Sequence, residues 1–101
     1  MEAHEIAEQA SNIVSNDRQD QYGDPEKNFE LIASYWNTYI NNKYNTGDYE
    51  IELTSVDVAT LMILLKVSRC TTGRFSIDNF RDICGYATLG GSLGTGVIGD
   101  A

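Results

Sequence analysis

The sequence has few of the features that are typical of secreted, zinc-binding or membrane-spanning domains. It contains one proline, one histidine and two cysteines, Cys70 and Cys84, whose spacing is not that of a zinc site, so both thiols are expected to be free. No basic-then-apolar leader opens the chain, which argues against secretion by a signal peptide. The longest apolar segment falls short of the roughly 20 residues that cross a bilayer. We therefore expect a cytoplasmic protein without a membrane partner.

Positive charge is also scarce. Seven Lys and Arg stand against fifteen Asp and Glu, for a net charge of −8, and they form no basic stripe. Direct binding to a nucleic-acid backbone is not expected, because phosphate would be repelled. A small nucleotide escorted by Mg²⁺ stays compatible with this charge, since the metal reverses the local electrostatics. A length of 101 residues indicates one domain.

The most informative apolar segment is VDVATLMILLKVSR, residues 56–69. As a helix it has almost no polar face, so we expect it to be covered on both sides, by its own chain or by a second subunit. The second case predicts a dimer or higher oligomer with a shared core. Asp57 in the first turn and Lys66 and Arg69 in the last suit the helix dipole. Thr54 or Ser55 is the expected cap.

Apolar residues at helical intervals predict three more helices. Asp24 and Pro25 form the start signal of the second, and Ser76 is the expected cap of the last. Ile51 to Leu53 is either a short extended piece or the approach to the cap. After Gly90 the sequence is rich in glycine, which predicts a mobile tail. The predicted fold is an all-α four-helix bundle with its domain at 1–91, a tail at 92–101, and helices at 3–16, 25–42, 56–69 and 77–89.

Carboxylates are the first candidates for chemistry. Asp78 and Asp82, at i and i+4, lie on one helical face and are oxygen ligands of the kind Mg²⁺ prefers. In an acidic protein such a pair is also typical of solvated surface, and it becomes a site only if Glu26, Glu30 or Asp57 converges on it. Serine–histidine and cysteine–histidine catalysis are not indicated, because the single histidine, His4, lies at the N-terminal edge.

The segment YGDPEKNF, residues 22–29, is the second candidate. A turn followed by a helix start accounts for Gly23, Asp24 and Pro25. It does not account for Tyr22 or Asn28. An aromatic ring and a carboxamide beside a helix N-terminus suit a nucleotide base and a phosphate, so this segment predicts nucleotide binding.

Three ordered blocks, DQYGDPEKNF, SVDVATLMILLKVSR and SIDNFRDICGYATLG, resemble a family of short phage and prophage proteins of unassigned function. That family is more loosely similar to MazG-type all-α nucleotide pyrophosphohydrolases. The resemblance implies a phage-encoded protein of the bacterial cytoplasm. It also implies a helical bundle that forms dimers or tetramers and binds Mg²⁺ through acids on two neighbouring helices. MazG-type enzymes cleave nucleoside triphosphates between the α and β phosphates.

The chain departs from the MazG pattern of Glu-x-x-Glu on one helix and Glu-x-x-Asp on the next. Its closing helix offers Asn79-x-x-Asp82, and the preceding helix ends in Lys66-x-x-Arg69, whose cations cannot bind Mg²⁺. Either the acidic cluster is broken, or Glu26 and Glu30 rebuild it with Asp78 and Asp82. Hydrolysis therefore stays open.

Two functional hypotheses follow. The first is a MazG-like nucleotide-binding protein, with or without pyrophosphohydrolase activity; the second is a non-catalytic phage accessory protein that sequesters a nucleotide signal or binds a host protein. No catalytic residue is assigned. The Mg²⁺ ligands are predicted to be Glu30, Asp78 and Asp82. The ligand-binding residues are predicted to be Tyr22, Asp24, Asn28, Lys66, Arg69, Asn79 and Tyr86.

Overall fold

The computed structural model describes residues 1–17, 24–44, 47 and 49–98. The α-helices are α1 (Ala3–Asn12), continued by a π-helical turn (Ile13–Asp17), then α2 (Pro25–Lys43), α3 (Ser55–Thr72) and α4 (Ile77–Ile98). No strand occurs in these described parts of the chain, so the all-α prediction is confirmed. Within the same residues, no helix combines the length and apolar character needed to cross a membrane.

The helix starts follow the local signals. The Asp24 carboxylate accepts a hydrogen bond from the Glu26 N–H at 3.0 Å, and Pro25 occupies the first turn of α2. Of the two expected caps of α3, Thr54 is the one observed. The Thr54 and Asp57 side chains each accept the other's backbone N–H in a reciprocal capping box. The Ser76 Oγ accepts the Asp78 N–H at 3.3 Å at the start of α4. All three caps are confirmed.

The core lies where α2, α3 and α4 meet. Phe29 and Val58 are its largest fully buried side chains. Three contacts show that α3 and α4 run antiparallel, because residue numbers rise on one helix as they fall on the other. They join Lys66 to Asp82, Ala59 to Gly90 and Val56 to Gly94. The buried cluster consists of Phe29, Ala33, Val58, Ala59, Tyr86 and Leu89.

Helix α4 is longer than its sequence suggests. The expected end near Leu89 is wrong, since the helix continues to Ile98 through the glycine-rich segment. A Cβ placed on Gly90 would lie 3.1 Å from the Ala59 Cβ, so glycine lets α4 approach α3 closely. Leu93 then packs against the core. This tertiary contact outweighs the helix cost of glycine, about 1 kcal/mol per residue. Mobility of residues 92–101 in solution stays a prediction.

The described residues cover helix α3 on one side only. Val58 and Ala59 are 0% and 1% exposed, whereas Leu64 on the opposite side is 58% exposed. Within the part of the chain that the structure describes, this helix is therefore not covered on both sides, and coverage by a second subunit stays a prediction. We call the uncovered side the outer face of α3; its large apolar residues are Leu61, Leu64, Leu65 and Val67.

Two asparagines of α2 hold the segment that leads into α3. The Asn41 side chain accepts the Ile51 N–H and donates to the Ile51 carbonyl, both at 2.8 Å. The Asn37 side chain does the same for Leu53, at 2.7 and 3.0 Å. These carboxamides make the backbone hydrogen bonds that a neighbouring β-strand would otherwise make. The segment from Ile51 to Leu53 is therefore held in place without being part of a sheet.

Candidate functional site

An ion pair between α3 and α4 forms the centre of the candidate site. The Lys66 Nζ lies 2.7 Å from Asp82 Oδ2, and the two side chains are 13% and 32% exposed. The structure therefore brings together two of the predicted site residues, sixteen positions apart in the chain. It pairs them with each other, because a partly buried carboxylate is stabilised by the nearest cation.

A second ion pair lies one turn earlier on α4. The Arg81 guanidinium contacts the Asp78 Oδ1 at 2.8 Å, at i and i+3. Arg81 is not among the site residues predicted from the sequence, although an acid and a base at i and i+3 on a helix are a signal for such a pair. The Arg81 Nε is buried and, among the described residues, has no hydrogen-bond partner. A donor of this kind is open to an oxygen of water or ligand.

A small cavity lies beside these pairs. Arg81, Asp82 and Tyr86 line it from α4, and Ala10 and Val14 line it from the N-terminal region. Its volume of about 10 Å³ suits a single water molecule and is far too small for a nucleotide. A nucleotide would therefore have to bind on the surface outside this cavity.

Tyr86 is a core residue. Its side chain is 6% exposed, and its ring centroid lies 6.3 Å from that of Phe29. A buried ring packed this way cannot stack on a nucleotide base unless the core opens. Its predicted role in base recognition has no support from its position.

Arg69 and Asn79 lie near the end of the α3–α4 hairpin. Arg69 is exposed and forms no ion pair with any described residue, one turn beyond Lys66. Asn79 is half-buried in the first turn of α4, where its N–H donates to the Ser76 carbonyl at 3.2 Å. Of the predicted ligand-binding residues that the structure describes, Arg69 is the exposed base without an ion pair.

The described part of the predicted YGDPEKNF segment, which begins at Asp24, lies elsewhere along α4. Asp24 caps α2, and half-buried Asn28 donates its backbone N–H to the Asp24 carbonyl at 3.0 Å. Asp24 lines a shallow cleft with Leu89 and Leu93. At 1.5 Å rise per residue, that is roughly 10–16 Å along α4 from Asp82. Tyr22 lies outside the described residues, so its position is not part of the site geometry.

The predicted Mg²⁺ ligands do not come together. Asp78 and Asp82 are each paired with a base, and Glu30 lines a separate cleft with Glu52. In the described part of the chain, no group of three or more His, Cys, Asp or Glu side chains is placed to hold a metal ion. These residues do not fit a three-carboxylate magnesium centre.

Charge is unevenly distributed along the chain. Residues 66–82 contain four of the seven bases and two of the fifteen acids, so this segment carries +2 while the whole chain carries −8. The end of the hairpin formed by α3 and α4 therefore carries a net positive charge, unlike the chain as a whole. A positive segment of this kind attracts an anion.

The fold and this centre define the class: an all-α domain with an ion-paired polar centre between two antiparallel helices. The chain belongs to the family described as Domain of unknown function (DUF6378), which matches residues 5–94. It is 35% identical over 82 residues to the Gene 55 protein of Mycobacterium phage D29 and 37% identical over 78 residues to the Gene 55 protein of Mycobacterium phage L5.

These matches cover 81% and 77% of this chain but 48% and 45% of the relatives, so the chain spans about half their length. No solved structure matches it significantly. The expectation of a phage protein family of unassigned function is confirmed, whereas similarity to MazG enzymes stays a hypothesis.

Proposed function

We propose that this chain is a phage accessory protein that binds a nucleoside triphosphate, or a related phosphorylated nucleotide, without hydrolysing it. The observation that carries the proposal is the 2.7 Å ion pair between Lys66 and Asp82. This pair joins Lys66 of α3 to Asp82 of α4. The carboxylate that a MazG-like reaction would use for metal is thereby already occupied.

The binding surface is the positive end of the α3–α4 hairpin. Exposed Arg69 supplies a guanidinium that forms bidentate hydrogen bonds to phosphate. The Lys66 ammonium group contacts Asp82 through one of its three N–H donors, so a phosphate oxygen would share this group with the carboxylate. Asn79 adds a carboxamide at the same end of the hairpin.

Metal-dependent hydrolysis of a nucleotide uses a cluster of carboxylates, and the described residues do not form such a cluster. Glu30, Asp78 and Asp82 are not placed around one point. Mg²⁺ in this proposal is the ion that accompanies the triphosphate. Pyrophosphohydrolysis is the competing function, supported by the loose resemblance to MazG enzymes.

Ligand-induced stabilisation tests the proposal. Thermal unfolding is measured with each common ribo- and deoxyribonucleoside triphosphate, with and without Mg²⁺, while pyrophosphate is assayed in parallel. A bound nucleotide at about 100 times its Kd adds roughly 2.7 kcal/mol to the free energy of unfolding. We expect stabilisation by at least one nucleotide and no pyrophosphate.

The matched variants are Arg69→Ala and Lys43→Ala, since both side chains are exposed and neither forms an ion pair among the described residues. Arg69→Ala should abolish the stabilisation, and Lys43→Ala should retain it. Release of pyrophosphate would establish the enzymatic function instead. Absence of stabilisation by every nucleotide would rule out nucleotide binding.

We further propose that a second copy of the chain covers the outer face of α3, so that the core is shared within a homo-oligomer. Four large apolar side chains of α3, each 39% to 58% exposed, support this. The variant that tests it is described in the Discussion.

A further inference from the structure

A polar cleft lies between α2 and the segment that leads into α3. Its volume is about 500 Å³. Residues of α2 from Glu30 to Thr38 line one wall, and residues 52–55 line the other. We call it the α2–α3 cleft. It shares no residue with the nucleotide site proposed above, so the inference below does not depend on that site.

The charged residues that line this cleft are two acids, Glu30 and Glu52. Both are exposed, and neither forms an ion pair with any described residue. Thr54, which also lines the cleft, donates its hydroxyl to the Asp57 carboxylate at 3.1 Å, so a third negative charge lies close by. Lys27, one turn before Glu30, does not line the cleft. The walls therefore attract a cation from solvent.

A buried hydroxyl in the same cleft has no partner. Ser55, the first residue of α3, is 9% exposed and lines the cleft. Its side chain forms no hydrogen bond with any described residue. Because buried polar groups nearly always have a partner, this hydroxyl is available to a polar group that enters the cleft. The observation is independent of the acids and indicates a ligand that carries N–H donors as well as positive charge.

The register between the two walls separates the acids. The Asn37 and Asn41 carboxamides hold the backbone on either side of Glu52, so Glu52 is level with the middle of that pair on α2. Glu30 lies about nine residues earlier on the same helix, which is roughly 13 Å at 1.5 Å per residue. The two carboxylates therefore belong to opposite ends of the cleft, and a single cation cannot pair with both.

From these observations we infer that the α2–α3 cleft binds a linear polyamine. One terminal ammonium group pairs with Glu30, the other pairs with Glu52, and Ser55 accepts a hydrogen bond from an N–H of the ligand. The methylene groups lie on Ala33 and Leu53, the apolar residues of the two walls. An extended chain advances about 1.2 Å per bond, so a triamine with nine bonds between its terminal nitrogens spans about 11 Å. The flexible glutamate side chains close the remaining distance.

Calorimetric titration of the full chain with amines tests this, at an ionic strength of about 0.15 M, where long-range attraction to an acidic protein is screened. The probes are spermidine, 1,8-diaminooctane and 1,4-diaminobutane. The two diamines carry equal charge, but only the longer one has the nine-bond span of spermidine. Spermidine and 1,8-diaminooctane should each bind at least five times more tightly than 1,4-diaminobutane. A capped tripeptide with one arginine, which presents a single guanidinium, should bind more weakly than spermidine.

Four variants locate the binding. Glu30→Gln and Glu52→Gln should each weaken spermidine at least fivefold. Glu50→Gln removes the same charge from an exposed residue outside the cleft and should change the affinity less than twofold. Ser55→Ala should weaken spermidine about threefold to tenfold through the lost hydrogen bond. Thermal unfolding without ligand checks that each variant is folded.

Four results would overturn the inference. One is no detectable heat of binding with spermidine at millimolar concentration. Another is equal affinity for the two diamines, which would remove the requirement for two separated acids. The third is an equal loss in Glu50→Gln and Glu52→Gln, which would reduce the binding to general attraction by a negative chain. The fourth is tighter binding of the arginine tripeptide than of spermidine, which would assign the cleft to a basic side chain of a partner protein.

Discussion

The two sides of α3 differ in what they contact, although both are apolar. On the inner side Val58 and Ala59 are fully buried against α2 and α4, and Lys66 is held by Asp82. On the outer face Leu64 and Val67 contact solvent. Hydrophobicity alone does not distinguish the two sides. The difference shows that burial against neighbouring helices, and not apolar character, is what separates the inner side from the outer face among the described residues.

The largest expected effect is at the inner side. Val58→Ala should lower the free energy of unfolding by about 2–3 kcal/mol, because it removes buried methyl groups and leaves a cavity. Val67→Ala, the same change at a residue 46% exposed in the single chain, should leave the monomer's free energy of unfolding within about 0.5 kcal/mol of the native monomer's value. Urea unfolding of both variants measures the contrast. Equal losses would mean that the two sides contribute alike to stability.

The ion pair gives the next largest effect. Lys66→Ala leaves the Asp82 carboxylate without its cation and should cost about 1.5–2 kcal/mol, reduced from the buried-pair value because Asp82 is 32% exposed. Replacing both residues together, Lys66→Met with Asp82→Leu, should recover most of that loss. A double-mutant cycle by urea unfolding provides the measurement. If the double variant is no more stable than the single one, packing and not charge maintains the contact.

Two adjacent glycines of α4 test the close approach to α3. Gly91 has open space around its Cα, so Gly91→Ala should raise the unfolding free energy by about 0.5–1 kcal/mol through helix propensity. Gly90→Ala places a Cβ 3.1 Å from the Ala59 Cβ, so the propensity gain should be cancelled or reversed. Thermal unfolding distinguishes the two. Equal stabilisation by both alanines would show that the helices are farther apart than described.

The smallest effect on stability, and the clearest on assembly, concerns the outer face. Leu64→Ser should change the monomer's unfolding free energy by less than about 0.5 kcal/mol, since the side chain is 58% exposed. It should shift the mass measured by light scattering at micromolar protein from an oligomer toward a monomer. A native chain that is already monomeric at that concentration would refute the shared core.

Short-range sequence signals predicted where the helices of this fold start. Asp24 with Pro25, Thr54 with Asp57, and Ser76 each start a helix where their side chains can satisfy free N–H groups, and such caps depend on residues no more than three positions apart. The sequence did not predict the end of α4. A glycine at position 90 favours the helix only because it lets α4 pack closely against Ala59 of α3.

The candidate site was less predictable than the fold. The sequence predicts Lys66 and Asp82 as site residues because each is a charged residue on a helix rich in apolar residues. It does not predict that they pair with each other, because helical spacing describes one helix at a time. The same holds for Asn37, whose carboxamide binds a backbone sixteen residues away. Tyr86 was predicted to bind a ligand but is part of the buried cluster, because an aromatic side chain that can stack on a base can equally pack in a hydrophobic core.

The sequence by itself determined that this protein is helical, where three of its helices start, and which helix is the most apolar. Those properties arise from neighbouring residues and from the 3.6-residue period. Tertiary structure alone decided that Asp82 is bound by Lys66, that glycines continue α4, and that the described residues leave one side of α3 uncovered. Each of these depends on the distance between residues far apart in the chain, which only the packing of the helices sets.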